Sequence, residues 1–395
     1  MAVTPLATVI AGGEVVTPTA IGRADVVVSG GRVASVGAAF DERAVRDVAG
    51  ERVDASGFVV IPGLVDAHVH FLGGGGGDGY DSRIPELQLS DITRHGITTA
   101  LAPLGIDPVS RSLEGLLAKA RALTQEGITA FAYTGGFSRP LPSLTGAPWR
   151  DAYLIPDIRG IKLAIGVEQA PMHAARELVD LSRELLGVER ATGRRQVLHV
   201  HLGPLAEGHE LLIDVTPDLA DAARLFVTHC NRSKRHLATA IGLVERGAWA
   251  DMTCMISPDR GMPESIPASR AVLHLAEHGA SLDRVTLSTD GNGSATEPAE
   301  AGGWLPYRTH MDSLLAEIRA LVAAGMSLGD AVALGSRNPA EALGLTGKGR
   351  IAEGADADLV LLDADYAVRD VFAQGRRMVR DGQPVVLGRY ERRES

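Results

Sequence analysis

Two histidines spaced two residues apart follow a short apolar run early in the chain. Residues 58–61 read Phe-Val-Val-Ile, and His68 and His70 come shortly afterwards. Because side chains alternate along a strand, both imidazoles point to the same side of the chain. Neutral imidazole is a common ligand of divalent metals. The spacing therefore indicates half of a metal site, although two polar residues at a strand end are an equally ordinary interpretation of this segment alone.

Further side chains of ligand or acid–base type stand at the ends of predicted strands. They are Lys162, His201, His229 and Asp290. Imidazoles and a carboxylate are groups that a bound divalent metal prefers. Each of these residues alone would more often be an ordinary core or loop residue. Their shared position at strand ends is the stronger signal, and it predicts a metal site that also includes His68 and His70.

The middle of the chain alternates short apolar runs with helical patterns. Helices are predicted at 110–125, 171–186, 233–246 and 307–324. The predicted strands are 63–68, 97–101, 129–133, 159–164, 196–201, 225–229, 248–253 and 284–290. Strands that alternate with helices in this number predict an α/β fold of the TIM-type (β/α)8 barrel, whose active residues gather at the C-terminal strand ends. A doubly wound open sheet is the alternative.

Both ends of the chain show a different pattern, with short β-branched runs separated by glycine turns. Predicted strands lie at 8–10, 25–28, 32–36, 357–362, 368–373 and 377–379. Such runs with turn residues between them are typical of antiparallel sheets. We expect a small β-sandwich domain built from residues 1–56 and 344–395, and a metal-dependent hydrolase barrel formed by residues 57–343.

Composition limits the classes of partner. The 395 residues are 45% hydrophobic and carry a formal net charge of -10. The acidic balance argues against nucleic acid and anionic membranes as partners. Cys230 and Cys254 are the two cysteines of the chain, too few for a disulfide framework. Since the N-terminus shows no signal-peptide pattern and no apolar run could span a bilayer, we expect a cytoplasmic protein.

Several longer motifs resemble the amidohydrolase superfamily, and within it most closely the isoaspartyl dipeptidases. The resemblance covers nearly the whole chain, including the closing stretch Leu-Thr-Gly-Lys-Gly-Arg-Ile at 345–351. The most dipeptidase-like motifs are the glycine tract at 73–77, Arg83 with Pro85-Glu86, Ile161-Lys162, His229 with Asn231-Arg232, and the block Ser-Thr-Asp-Gly-Asn-Gly-Ser at 288–294.

The resemblance implies two divalent metal ions, usually zinc. One ion would be held by His68 and His70 and the other by His201 and His229. Lys162 would bridge both ions as a carbamate formed with carbon dioxide, because a free ammonium has three donors and no acceptor. Asp290 would ligate the first ion and act as base and then acid, passing a proton to the leaving nitrogen. His199, two residues before His201, is expected to lie one layer lower.

The residues that would recognise substrate depart from the dipeptidase pattern. Gly77 stands where the dipeptidases have a glutamate for the substrate amino group, with Asp78 directly after it. Phe137 replaces a tyrosine that donates to the carbonyl oxygen, Ile106 replaces a threonine, and Gln169 replaces an arginine. A buried charge without a partner is costly, so an aspartyl group is expected to bind poorly here.

Two other predicted substrate residues, Arg232 and Ser294, agree with the family pattern. Gly75, in the glycine tract, is also predicted to lie at the substrate. An arginine can pair with the carboxylate of a leaving amino acid. The acyl side of the site is thus expected to be apolar, while the leaving-group side still recognises an amino acid.

The resemblance therefore implies a binuclear hydrolase that cleaves a linear amide through a water shared by two metals. The favoured substrate is an N-acyl amino acid amide with an apolar or aromatic acyl group, cleaved to release the amino acid in a tailoring step of specialised metabolism. A true isoaspartyl dipeptidase, in which Asp78 and Glu168 restore the lost contacts, is the first alternative, and a cyclic-amide hydrolase the second. Lys162 argues against a deaminase, and the complete ligand set against a non-catalytic relative. The family also suggests a homo-oligomer.

Overall fold

The computed structural model describes residues 6–37, 50–300 and 302–392. In chain order the strands are β1 (Ala7–Val16), β2 (Ile21–Ser29), β3 (Arg32–Gly37), β4 (Glu51–Asp54), β5 (Val59–Pro62), β6 (Leu64–Asp66), β7 (Ile97–Ala102), β8 (Thr129–Gly135), β9 (Ile158–Ile165), β10 (Val197–Leu202), β11 (Leu225–Thr228), β12 (Trp249–Thr253), β13 (Val285–Ser288), β14 (Ser294–Pro298), β15 (Trp304–Arg308), β16 (Leu359–Leu362), β17 (Val368–Ala373), β18 (Arg376–Arg380) and β19 (Gln383–Pro384).

Most of the helices connect strands in the middle of the chain. The α-helices are Leu89–Thr93, Leu113–Glu126, Pro148–Leu154, Ala175–Thr192, Ala206–Val215, Lys234–Glu245, Ala268–Glu277, Asp312–Ala323, Leu328–Leu334 and Arg337–Ala342. Short 3-10 turns are Tyr80–Ser82, Thr216–Asp218, Ala222–Arg224, Pro258–Arg260 and Leu282–Arg284. In the described part of the chain, every helix is too short or too polar to cross a bilayer.

Strands β6 to β13 form a parallel sheet in which each strand pairs with its neighbours in sequence order. A bridge between Val69 and Gly291 brings the segments that follow the first and last strands together. The strand order never reverses, as it would in a doubly wound sheet. The TIM-type barrel predicted from the sequence is therefore confirmed, and the open-sheet alternative is wrong.

Amphipathic helices pack around this barrel. In the helix Ala175–Thr192, Leu178, Leu181, Leu185 and Val188 are buried, which is the spacing of one helical face. This helix ends at Gly193, whose φ of 67° is easily adopted only by glycine. The helices thus cover the outer surface of the sheet and leave the strand ends to the connecting loops.

One predicted helix begins too early. The sequence predicts a helix over 307–324, but residues 304–308 form strand β15, which pairs with β14 in an antiparallel hairpin. The guanidinium of Arg260 stacks 3.8 Å from the Tyr307 ring centroid. This contact with a distant loop favours the extended conformation, and the helix begins only at Asp312.

The two chain ends meet in a nine-stranded sheet. Strand β5 pairs with β16, so that the N-terminal strands β1 to β5 join the C-terminal strands β16 to β19. Along β16, Leu359 and Leu361 belong to a small separate core, while Val360 and Leu362 belong to the main core with the barrel. This alternation is expected for a strand buried on both faces. Strand β5 lies in this sheet although the expected division assigns it to the barrel, and the domain boundaries remain a prediction.

Gly63 connects this sheet to the first barrel strand. Its N–H donates to the carbonyl oxygen of Asp358 at 2.8 Å. A Cβ at this position would overlap the hydroxyl oxygen of Thr98 and lie 2.8 Å from the Cβ of Asp358. The absence of a side chain lets the segment that carries His68 and His70 leave the sheet at this point.

We therefore expect Gly63→Ala to lower the free energy of unfolding by about 1–3 kcal/mol through overpacking. Chemical denaturation of metal-free protein measures this. Gly22→Ala is the matched control, since nothing lies within 4 Å of a Cβ added there; its effect should stay within about 0.5 kcal/mol. Equal effects of the two substitutions would contradict the packing argument.

Candidate metal centre

Three predicted ligands converge at the mouth of the barrel. Nε2 of His70 lies 3.0 Å, and Nε2 of His68 lies 3.5 Å, from Oδ1 of Asp290. The ligand atoms of these three residues all lie within 4.8 Å of one another. His68 and His70 follow strand β6, and Asp290 follows strand β13 with a φ of 52°. The strand ends thus place two imidazole nitrogens and a carboxylate around one point.

The surroundings of Oδ1 of Asp290 indicate whether His68, His70 and Asp290 suit a metal ion. The atom is buried, and no donor among the described residues meets the geometry of a hydrogen bond to it. Burial raises the pKa of Asp290, but His68, His70 and Arg232 outweigh burial and hold the pKa below its usual range. An ionised carboxylate oxygen without a hydrogen bond, facing two imidazole nitrogens, fits a divalent cation.

The histidines of strands β10 and β11 form a second pair. Nδ1 of His201 lies 2.9 Å from Nε2 of His229. Nδ1 of His229 lies 2.8 Å from the hydroxyl of Thr253, at the end of β12. This contact orients the imidazole of His229 so that Nε2 faces His201. His229 itself has a φ of 68°, so the backbone turns sharply here to direct the ring inward.

Both histidine groups belong to one buried site. The ring centroids of His68 and His229 are 5.3 Å apart. Burial holds the pKa of His68, of His201 and of His229 well below the ordinary histidine value. These imidazoles are therefore neutral, and each has one nitrogen lone pair to offer to a metal.

Lys162 projects into the barrel from within β9, not from its end. Its Nζ donates to the carbonyl oxygen of Leu104 at 3.2 Å and lies 4.5 Å from the ring centroid of Phe137. The side chain is fully buried, and burial lowers the pKa of Lys162 to about 7. A lysine with this pKa has a substantial fraction of neutral amine at neutral pH, which is the form that can react with carbon dioxide.

Arg232 lies beside the second histidine pair. Its Nη1 is 3.1 Å from Nε2 of His201 and 3.3 Å from the carbonyl oxygen of Leu202. Within the described residues no carboxylate comes within ion-pair distance of this guanidinium, and its buried Nε has no partner. Burial lowers the pKa of Arg232. A charged group in this state can receive an anionic part of a substrate.

Phe137 and Ile106 are two apolar residues of the predicted substrate site, and both lie near the predicted metal ligands. The Phe137 ring contacts the His201 ring edge-on, with 5.1 Å between centroids. A Cβ added to Gly77 would lie 3.3–3.4 Å from the Ile106 side chain, so these two residues face each other. The residue before Ile106 is Gly105, and its ideal Cβ position lies 3.7 Å from the imidazole of His70. The loop that carries Ile106 therefore reaches the metal-ligand cluster.

For the other predicted substrate residues, the contacts in the described part of the structure do not involve the predicted metal ligands. Asp78 and Gln169 are exposed, and the described part of the structure shows no hydrogen bond or ion pair for either. Ser294 begins strand β14, and its backbone nitrogen lies 3.2 Å from where Gly74 would carry a Cβ. Gly75 packs against the backbone of Ser82. The structure thus brings Ser294 and the glycine tract together but leaves Asp78 and Gln169 at the surface.

Sequence reasoning missed several residues that hold the site. Asp66 accepts hydrogen bonds from the backbone N–H of His68 at 3.1 Å and from Thr289, the neighbour of Asp290. Arg111 donates to the carbonyl oxygens of Leu72, Gly75 and Ile84, and so clamps the glycine tract. An aspartate inside an otherwise apolar strand was a signal for Asp66, whereas no local pattern marked Thr253 or Arg111.

We expect Arg111→Met to loosen the glycine tract, because the carbonyls that accept from the guanidinium lose their buried donor. The loss should lower the free energy of unfolding by about 1–3 kcal/mol and speed amide hydrogen exchange at residues 73–79, with bound metal unchanged. Arg121→Met is the control, because Arg121 forms only an exposed ion pair with Asp157. Equal exchange in both variants would contradict the clamp.

Known proteins resemble this chain over nearly its full length. The amidohydrolase family profile matches residues 59–382. The structure of a β-aspartyl dipeptidase from Fervidobacterium islandicum AW-1, in complex with β-Asp-Leu dipeptide, has a TM-score of 0.88 and 30% identity, and the match covers 99% of each chain.

Two curated relatives show more distant similarity. Dihydroorotase from Methanothermobacter thermautotrophicus is 27% identical over 80% of this chain and 77% of its own length. Adenine deaminase from Bacillus velezensis is 24% identical over 92% of this chain, which spans only 55% of that enzyme. The resemblance to the amidohydrolase superfamily is thereby confirmed. The chain belongs to the amidohydrolase family, and it is a metal-dependent hydrolase that acts on carbon–nitrogen bonds.

Proposed function

We propose that this hydrolase cleaves the linear amide of an N-acyl amino acid whose acyl group is apolar or aromatic, and releases the amino acid. The observation that carries the proposal is the contrast between the predicted substrate residues. Gly77, Ile106 and Phe137 offer no charged group, whereas Arg232 is a guanidinium without a carboxylate partner in the described residues. An amide with one apolar and one anionic end matches both kinds of residue.

The proposed centre contains two divalent ions, with zinc as the favoured metal. His68, His70 and Asp290 would hold one ion, and His201 and His229 the other, with Lys162 between them as a carbamate. Neutral imidazoles and an ionised carboxylate are ligands that zinc prefers. Divalent ions in such a site lower the pKa of water and polarise a carbonyl oxygen. The pKa of about 7 for Lys162 supports carbamate formation, since a neutral amine is required.

Asp290 is proposed to move the proton. Hydrolysis of an amide requires a base for the attacking water and an acid for the leaving nitrogen, because an unprotonated amine leaves poorly. The carboxylate lies beside the proposed metal ligands, with Oδ1 within 3.5 Å of Nε2 of His68 and of His70. It can therefore accept a proton in one step and donate it in the next.

The acyl side is proposed to bind by apolar contact. Phenylalanine cannot donate a hydrogen bond, so Phe137 offers a ring face or edge to the acyl group. Ile106 faces Gly77 in the space where a longer acidic side chain would otherwise lie. A free amine and carboxylate on the acyl part would lose water here without gaining partners, which is unfavourable.

The comparison of two substrates tests this proposal. With zinc-loaded protein and bicarbonate, we expect N-benzoyl-leucine to be cleaved at least ~10-fold more efficiently than β-aspartyl-leucine, which corresponds to about 1.4 kcal/mol. Release of leucine measures both reactions. The triple variant Gly77→Glu, Ile106→Thr, Phe137→Tyr should narrow or reverse the preference, because it restores polar partners. Efficient cleavage of β-aspartyl-leucine by the unmodified protein would contradict the apolar pocket.

Arg232 is tested with substrates that differ only in the carboxylate. We expect Arg232→Ala to raise KM for N-benzoyl-leucine ~10–100-fold, the loss expected for a charged hydrogen bond of about 1.5–3 kcal/mol. KM for the decarboxylated analogue, N-benzoyl-3-methylbutylamine, should change little. Arg235→Ala, at an exposed position three residues away, is the control. Equal changes in KM for both amides would contradict a role of Arg232 in binding the carboxylate.

A second candidate function is supported by one specific observation. The F. islandicum structure, with 30% identity and a TM-score of 0.88, is a β-aspartyl dipeptidase. An isoaspartyl dipeptidase activity would require Asp78 or Glu168, both exposed here, to move to the site. The substrate comparison above separates the two functions. Cyclic-amide hydrolysis, a cytoplasmic location, a homo-oligomer and a role in specialised metabolism remain predictions.

A further inference from the structure

A buried histidine outside the predicted ligand set contacts one of the ligands. His199 lies in β10, two residues before His201, and has no exposed surface. Its Nε2 lies 3.1 Å from Nδ1 of His68. Nε2 of His68, on the opposite edge of that ring, faces Oδ1 of Asp290 at 3.5 Å. His199 therefore contacts the edge of His68 that points away from the proposed metal.

The ring of His199 is held in a fixed plane. It stacks on Tyr133 with 4.4 Å between centroids and an angle of 10°, and on Phe226 at 5.3 Å and 28°. The hydroxyl of Tyr133 donates to the carbonyl oxygen of Ala67 at 3.0 Å, directly before His68 in the chain. The stack is thus connected to the backbone of the residue that His199 contacts. Such a ring cannot turn without disturbing both aromatic neighbours.

The protonation of a neutral imidazole determines which histidine donates in the contact between His68 and His199. An imidazole that offers the lone pair of Nε2 to a metal has its proton on Nδ1. For His68 that proton points at His199 Nε2, which must then accept it. His199 then has its own proton on Nδ1, an atom that is buried without a partner among the described residues. The fold therefore tolerates an unsatisfied N–H at His199 while His68 is correctly oriented.

We propose that His199 is a positioning residue that accepts a hydrogen bond from Nδ1 of His68 and thereby fixes the tautomer and ring orientation in which His68 binds metal. Partners of this kind commonly contribute ~10–100-fold to metal affinity. Thr253 has the same relation to His229. The inference rests on the proposed metal centre but is independent of the proposed substrate.

The test compares two nearly isosteric replacements. In His199→Gln the amide oxygen can stand where Nε2 stood and accept the hydrogen bond, whereas His199→Met has similar length but no comparable acceptor. Zinc affinity is measured by competition with a chromogenic chelator, without any substrate. We expect one zinc dissociation constant, that of the ion proposed to be held by His68, to rise ~10–100-fold in His199→Met and to stay within a few-fold of the original protein in His199→Gln.

Controls separate positioning from stability. His209→Met replaces another buried histidine, which contacts Thr239 and no predicted ligand; it should leave zinc affinity unchanged. Thermal unfolding of metal-free protein shows whether each variant folds. If His199→Met does not fold, His199→Phe replaces it, because a phenyl ring fits between Tyr133 and Phe226 and also lacks an acceptor.

Each result decides the proposal. Weak zinc binding by the Met or Phe variant together with near-original binding by the Gln variant supports it. Original affinity in the Met or Phe variant, or equally weak binding by the Gln variant, overturns it. If the unmodified protein binds no divalent ion, the proposed metal centre fails together with this inference, whereas rejection of N-benzoyl-leucine would leave the inference intact.

Discussion

The removal of water from the barrel mouth is the constraint on which the rest of this structure depends. His68, Lys162 and His229 lie there with little or no contact with solvent, and His201 is half-buried beside them. Burial favours the uncharged forms of these groups, because a charged group loses its hydration. It therefore yields neutral imidazoles and an amine whose pKa lies near neutrality. The same loss of water makes every misdirected nitrogen costly, so each ring requires a defined partner.

Two buried carboxyl groups also hold the strand ends that carry these rings. Asp66 connects the backbone of His68 to Thr289, across the junction of the first and last strands. Asp251 accepts hydroxyl hydrogen bonds from Thr228, Thr286 and Ser288, at 2.6–2.7 Å. Burial raises the pKa of Asp251 to about 7, although these hydroxyl groups oppose the shift. Two carboxylates thus fix the strand ends that precede His229 and Asp290.

The residues proposed to recognise substrate lie on different parts of the chain from the proposed metal ligands. The glycine tract, the Ile106 loop and the hairpin β14–β15 lie outside the barrel strands, and such segments can change sequence without disturbing a barrel. The proposed metal ligands are placed by strands, whose positions the whole core determines. This division would let a complete set of predicted ligands coexist with Gly77, Ile106 and Phe137 at the positions that depart from the dipeptidase pattern. Arg232 belongs to neither class alone. It is a proposed substrate residue, but it lies four residues after the end of β11 and its guanidinium contacts the predicted ligand His201.

The sequence by itself determined the kinds of element and the residues near the strand ends. Alternation of period two and helical periodicity are properties of short segments, so the barrel strands and the set His68, His70, His201 and His229 could be predicted without a structure. The motif at 288–294 was long enough to indicate the family. Lys162 is also a candidate ligand from the sequence, although it lies within β9, not at its end.

Only the tertiary structure decided which atoms of these residues meet. The contact of His199 with His68, the clamp of Arg111 and the approach of Ile106 to Gly77 join segments distant in sequence. No local period predicts such contacts, because they depend on how loops pack on a complete barrel. The same reason explains the error at Tyr307, where stacking with Arg260 favours a strand over the expected helix. Sequence thus determined which residue types stand near the strand ends, and long-range packing determined their orientation.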